Sequence, residues 1–225
     1  MSRKDLIIFL SEQILQIKQE KPVLVVIDGV DASGKTTLAE ELAEYLLKIQ
    51  DREIIRASID GFHNSEKRRY LKGPDSPEGY YNDSFNYPAL VKNLLDPLKS
   101  GGAGYKTAIF DYRTNTEVDA PALNATSGAI LIMEGVFMLR PEIVKYWDLK
   151  IFVDVDFTVT VPRAVKRSAE KNHIGSEEEI RRKYDQRYIP GQKLYLDEAK
   201  PKEVADIVID NTDFEDPKVT KGLST

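Results

Sequence analysis

Val23-Leu-Val-Val-Ile-Asp28-Gly29-Val-Asp-Ala-Ser-Gly34-Lys35-Thr36-Thr37 decides the fold. The apolar run from Val23 to Ile27 reads as a buried strand ending at Asp28. A glycine loop follows, and an amphipathic helix begins near Lys35. Gly29, Gly34, Lys35 and Thr36 fit G-x-x-x-x-G-K-[ST], a loop that cradles phosphate. The two glycines reach backbone angles closed to other residues, so the loop can curl with its N–H groups inward. The helix start adds unpaired N–H donors and partial positive charge. Lys35 can reach the terminal phosphates as a point charge. The Thr36 hydroxyl is placed to ligate magnesium. Asp31, Ala32, Ser33 and Thr37 complete the expected nucleotide-phosphate site.

Outward from this loop, strands and helices alternate. Leu6, Leu10, Ile14 and Ile17 predict a helix over residues 2–20, and Pro22 stops it. Leu38, Leu42, Leu46 and Ile49 continue the helix after the loop. Residues 52–58 read as a second strand, 129–133 as a third, 149–154 as a fourth and 205–210 as the last. Residues 63–86 carry dense turn signals and several aromatics, the composition of a substrate-binding insertion rather than a disordered loop. A helix is predicted from about 87 to 99, and a short one opening at Pro141. Ser176-Glu-Glu-Glu179 is a capping box whose helix runs toward Pro190-Gly191. Residues 220–225 read as a frayed tail.

This order predicts an α/β P-loop NTPase three-layer sandwich. It has a five-stranded parallel sheet with helices on both faces, a lid and a substrate-binding insertion. One domain over residues 1–225 is expected, with the insertion at about 60–118 and the lid at about 168–180. Ligands then sit at the carboxyl ends of the strands, where Asp28, Asp60, Glu134 and Asp154 fall.

Composition narrows the class. The chain has 225 residues, 41% hydrophobic and 31% charged, as a globular protein should be. A net charge of −5 argues against nucleic acid as the main partner. There is no cysteine, hence no disulfide framework and no thiolate chemistry. The apolar runs are too short to span a bilayer, and Asp5 and Glu12 spoil a signal-peptide reading of residues 3–10. The expectation is a cytoplasmic protein without a membrane partner. The oligomeric state stays open, a homo-oligomer included.

Phosphoryl transfer needs a magnesium anchor, a group for the acceptor and positive charge on the transferring phosphate. Glu134, ending the strand ILIMEG, can hold the metal directly or through water. Asp60 follows the second strand and can take the proton of an acceptor hydroxyl. Arg163 and Arg167 lie one helical turn apart, and with Lys171 and His173 form a basic face at the lid. Such arginines can neutralise charge and exclude water, although a solvated basic helix face is common. His63 reads equally as a substrate contact or a polar surface group.

The sequence resembles the uridine kinase (uridine–cytidine kinase) family of the phosphoribulokinase/uridine kinase group. The likeness rests on the P-loop with Asp60-Gly-Phe-His63, Phe110-Asp-Tyr112, Glu134-Gly135 and Phe152-Val-Asp154, and covers about residues 22–212. It implies a kinase using ATP and Mg2+ on the 5′-hydroxyl of a nucleoside. Asp60 would be the catalytic base. Lys35 and Arg167 would share the catalysis, with Arg163 also toward the nucleotide. Thr36 and Glu134, with Asp60, would serve the metal. Asp83 falls where the ribose hydroxyls are held, and Phe62, Phe110 and Tyr112 match the nucleoside pocket, with His63, Tyr80, Arg167 and His173 also toward the substrate. Departures cluster at the base-reading end. The family's base-reading histidine is Asn115 here, an aromatic after Asp60 is His63, two lid arginines align with His173 and Gly175, and Lys67-Arg68-Arg69 lies in an unusual insertion. A sugar or vitamin-like alcohol therefore remains an alternative acceptor. A P-loop NTPase or nucleotide-binding regulator is a further alternative, although no guanine-reading N-K-x-D motif is present.

Overall fold

Val23–Gly29 (β1) is buried at every residue, because both faces of the sheet are covered by helices. It stands at the centre of the sheet in the computed structural model, which describes residues 1–167 and 174–222. Ile54–Ser58 (β2), Ile130–Gly135 (β3), Leu149–Asp154 (β4) and Ile207–Asp210 (β5) join it in parallel, and Lys218–Lys221 (β6) closes one edge antiparallel. The strand order is β2-β3-β1-β4-β5-β6. The chain therefore crosses away from β1 in both directions, which opens a crevice at the carboxyl end of β1.

The parallel five-stranded sheet is as expected, but β6 is an addition. Thr220 and Lys221 are strand, not frayed tail. The two lysines and mostly exposed pattern hid the strand, and they also suit an edge that must not recruit another chain. Residues 223–225 lie outside the described residues.

Two cores flank the sheet. On one face, Leu6, Leu10 and Ile14 of Arg3–Gln16 (α1) and Leu38, Leu42 and Leu46 of Lys35–Ile49 (α2) pack on Val25, Ile27 and Ile151. On the other, Val26, Leu131 and Met133 meet Leu94, Phe137 and Tyr195. Burying this apolar surface stabilises the fold by roughly 25 cal/mol per Å2.

The insertion is more ordered than its turn signals imply. Residues 63–86 contain two short helices, Glu66–Arg69 and Pro77–Asp83, and bury Tyr80, Tyr81 and Phe85 around Phe137. Arg187 locks it from the far side. Only 2% exposed, it donates to the carbonyls of Arg69, Gly73 and Ser76 at 3.0, 3.2 and 3.0 Å.

Three helix boundaries differ from expectation, the first being α1, which ends at Gln16 rather than near residue 20. The capping-box helix Glu177–Lys183 does not stop at Pro190. It widens by one residue over Tyr184–Tyr188 and continues through Ile189–Ala199. Pro190 follows directly on the widened turn, where the regular i to i−4 ladder is already interrupted. Pro141 opens a turn, and only Val144–Tyr146 forms a brief 3-10 coil there. No described helix is long and apolar enough to cross a membrane.

Candidate active site

The phosphate loop needs its glycines for contact as well as for angle. Gly29 has φ +155°, and a Cβ there would stand 2.4 Å from the Val153 carbonyl oxygen. Gly34 has φ +97°, and its Cβ would meet Asn211 Nδ2 at 2.6 Å. That same Asn211 nitrogen donates to the Ser33 carbonyl at 2.7 Å, fastening the loop from behind. Lys35 is buried and its ammonium donates to the Val30 carbonyl at 2.7 Å, curling across the loop. Burial lowers its pKa, partly offset by Asp31, Glu134 and Asp28.

Strand register brings the acids together. Glu134 on β3 sits beside Ile27 of β1 and Ser58 of β2, so its carboxylate emerges next to the loop. Thr36 Oγ1 donates to Glu134 Oε2 at 3.3 Å. Asp60 lies just past β2, where the Ser58 hydroxyl accepts from its N–H at 3.3 Å. The Asp60 side chain is 57% exposed, yet it stands inside the walled cleft. Enclosure there, with the nearby carboxylates of Glu134 and Asp31, pushes its pKa up to about 7.

Among the described residues no cluster of three or more acidic or histidine side chains forms a metal cage. A hydroxyl and a carboxylate beside the phosphate loop instead match how Mg2+ is held, by one or two hard oxygens with substrate phosphates completing the shell. Thr36 and Glu134 fit that role.

The opposite wall is aromatic and cationic. His63 lies between the Phe85 and Tyr112 rings, with centroids 4.5 and 4.6 Å away, and its Nδ1 is 3.0 Å from the Asp60 carbonyl oxygen. The Tyr80 hydroxyl donates to Asp31 Oδ2 at 2.7 Å, and burial raises its pKa well above the usual phenol value, so it keeps the proton it donates. Gln192 also holds Asp31, accepting from its N–H at 2.6 Å. Arg167 lines the cleft at the end of Phe157–Lys166.

The expected site thus divides. Lys35, Thr36, Asp60, His63, Tyr80, Tyr112, Glu134 and Arg167 share one cleft. Phe62 is fully buried in the core and does not reach it. Phe110 faces a second hollow behind His63. Asp83 turns to Lys72, 3.2 Å away. Arg163 donates to the carbonyls of Asn211 and Thr212 at 3.0 and 2.8 Å, so it holds the neighbouring loop. His173 and Lys171 lie outside the described residues, as do residues 168–173 of the expected lid, whereas 174–180 are described and include the start of Glu177–Lys183.

Arg69, Tyr70, Arg187 and Tyr188 also line the cleft and were not among the expected site residues. Arg69 had a signal, its place in the unusual basic run 67–69. Arg187 had none, since a helical arginine reads as surface.

A parallel sheet, a phosphate loop, an acid at the next strand and a second beyond it define a P-loop kinase, a phosphotransferase. More narrowly, the chain belongs to the cytidylate kinase-like family, whose sequence profile matches residues 24–213. It is 26% identical over 158 residues to a uridine kinase of Ligilactobacillus salivarius, covering 68% of this chain and 70% of the relative. A possible uridine kinase from Bacillus stearothermophilus superposes with a TM-score of 0.72 at 25% identity, covering 91% of this chain and 97% of that one. D-glycerate 3-kinase from Cryptococcus neoformans var. grubii shares the fold at a TM-score of 0.59 and 15% identity, covering 88% of this chain and 89% of that one.

Proposed function

We propose that this chain transfers the γ-phosphoryl group of ATP to a hydroxyl of a small molecule, with Mg2+, and that a nucleoside 5′-hydroxyl is the acceptor. The observation that carries the reading is the meeting of Lys35, Thr36, Asp60 and Glu134 in one cleft at the carboxyl ends of β1, β2 and β3. The loop N–H groups and Lys35 cradle the phosphates. Thr36 and Glu134 hold the cation, which when bound neutralises charge on the β- and γ-phosphates. Asp60 accepts the acceptor's hydroxyl proton as that oxygen bonds to the γ-phosphorus and the bond to the β–γ bridging oxygen breaks, releasing ADP. Arg167 supplies positive charge at the transferring group. Tyr112, packed on His63, lines the wall that a flat substrate would meet. The kinship with uridine kinases supports the nucleoside.

A second reading, transfer to a sugar or another alcohol, is favoured by Asn115. At the position of the family's base-reading histidine, its side-chain oxygen accepts from the Glu66 N–H at 2.7 Å and so holds the insertion. ADP release from Mg·ATP with a panel of nucleosides, sugars and hydroxy acids tests the proposal. Release that depends on an acceptor supports it. Release that no acceptor changes points to a simple NTPase and refutes it.

A further inference from the structure

Arg69 is 8% exposed and lines the cleft, yet its guanidinium makes no hydrogen bond or ion pair with any described residue. Its Nε is buried and unpartnered. Two rings stand near it, with its central carbon 5.7 Å from the Tyr70 centroid and 6.0 Å from that of Tyr112. A buried cation without an anion is costly, so such a group in a substrate cleft calls for a negative partner from outside.

The surroundings reinforce the charge. Tyr70 also faces Arg187 at 4.8 Å and Lys183 at 5.2 Å. The donors of those two are committed: Arg187 to insertion carbonyls, and Lys183 Nζ to the Pro74 carbonyl at 2.7 Å and to Asp75 at 3.8 Å. The positive charge of Arg187 remains at the cleft, and Arg69 alone of the three keeps its donors available. Tyr112 stacks on His63, which contacts the Asp60 carbonyl. Arg69 therefore sits beyond the proposed base, on the acceptor side. Asn115 fixes the start of Glu66–Arg69, the four-residue helix that ends in Arg69.

We infer that Arg69 binds an oxyanion carried by the acceptor, so that the substrate is a hydroxyl compound bearing a phosphate or carboxylate. This rests on the phosphotransfer reading, deepens its second form and replaces the neutral nucleoside as acceptor. A planar guanidinium with free edges suits bidentate binding of either group.

Two measurements test it. In the first, ADP release is followed with uridine and ribose as neutral acceptors, and ribose 5-phosphate and D-glycerate as anionic ones. The anionic acceptors should have the higher kcat/KM, and the better of the two tells phosphate from carboxylate. Arg69→Met should raise the KM for that acceptor roughly 10–100-fold, the range for a hydrogen-bonded charge, with Arg69→Lys recovering part of the loss and the KM for ATP moving far less. In the second, inorganic phosphate is titrated into protein saturated with Mg2+ and a non-hydrolysable ATP analogue. One further equivalent should bind, at least tenfold more weakly in Arg69→Met.

A preference for neutral acceptors, or phosphate binding indifferent to Arg69→Met, overturns the anion site while leaving phosphotransfer intact. Arg69-dependent phosphate binding without acceptor-dependent ADP release sustains the anion site and rejects phosphotransfer. Arg69→Met should not lower the melting temperature, because no described group loses a charge partner. A clear drop would mark a structural role and overturn the inference.

Discussion

The Tyr195 hydroxyl donates a hydrogen bond to Asp28 Oδ2, while Asp28 Oδ1 accepts from the N–H of Gly29 at 2.8 Å. The first residue of the phosphate loop is thus held by an acid that a tyrosine from another helix satisfies. The Leu139 N–H in turn donates to the Tyr195 oxygen at 3.1 Å, so the phenol is used on both sides.

Asp28 gives stability a pH dependence. Burial pushes its pKa up to about 6, with Tyr195 pulling the other way. A folded pKa above the unfolded value means that folding favours the protonated acid. Asp28's contribution is therefore full below about pH 4 and is lost as pH rises through about 6. Tyr195→Phe removes a donor to the charged form and should destabilise the protein by about 1–3 kcal/mol at pH 8. The loss should be smaller at pH 5, where the acid holds its own proton. Urea melts at both pH values read this, and an equal loss at each would show that the bond does not depend on the charge.

In the proposed role of base, Asp60 should set the acid limb of activity. As a base it must be deprotonated, and its pKa of about 7 places the fall in kcat/KM below neutrality. Asp60→Asn should cut turnover roughly 10²–10⁴-fold with ATP still bound, and the limb should vanish from what remains. Glu134 raises the Asp60 pKa, so Glu134→Gln should move the limb to lower pH in its residual activity. A limb unchanged in Asp60→Asn assigns the base elsewhere.

Lys35→Ala should weaken nucleotide binding and lower kcat/KM about a hundredfold, the scale of a lost charged hydrogen bond, whatever the acceptor. Titration with a fluorescent ATP analogue separates the two effects. An unaffected nucleotide affinity would mean that the ammonium acts only as phosphate moves.

Arg187→Met should release the carbonyls of Arg69, Gly73 and Ser76 inside the protein. Unmet buried acceptors cost about 1–3 kcal/mol each before relaxation, so hydrogen exchange over residues 69–76 should quicken while β1 and β3 stay protected. Uniform quickening across both regions would instead place Arg187 in the global fold.

Much of this architecture is legible in one sequence because buried parallel strands are written as unbroken apolar runs. Val23–Ile27 and Ile130–Met133 could be read directly, and the loop glycines sit where no side chain fits. Asp60 and Glu134 followed from strand ends. What stayed hidden depends on contacts across the chain. Phe62 reads as a pocket aromatic beside Asp60, but a 3-10 turn over Ile59–Phe62 swings it into the core. Arg163 reads as a nucleotide contact, but the loop after β5 takes its donors. Tyr195 and Asn211 belong to no local pattern, and their bonds to Asp28 and Ser33 join residues far apart in the chain.

Asn211 has a wider consequence. It grips the Ser33 carbonyl, Arg163 grips the Asn211 carbonyl, and Arg3 Nη1 donates to the Asn211 side-chain oxygen at 3.1 Å. These bonds restrict the phosphate loop to one shape, which should spare nucleotide binding the dilution that a small competent population imposes. Nucleotide capture should be a one-step event paced by diffusion rather than by waiting for a rare conformer. The stiffness has a converse: a lesion at Arg3, at the far end of the chain, should register as a change in how tightly nucleotide is held.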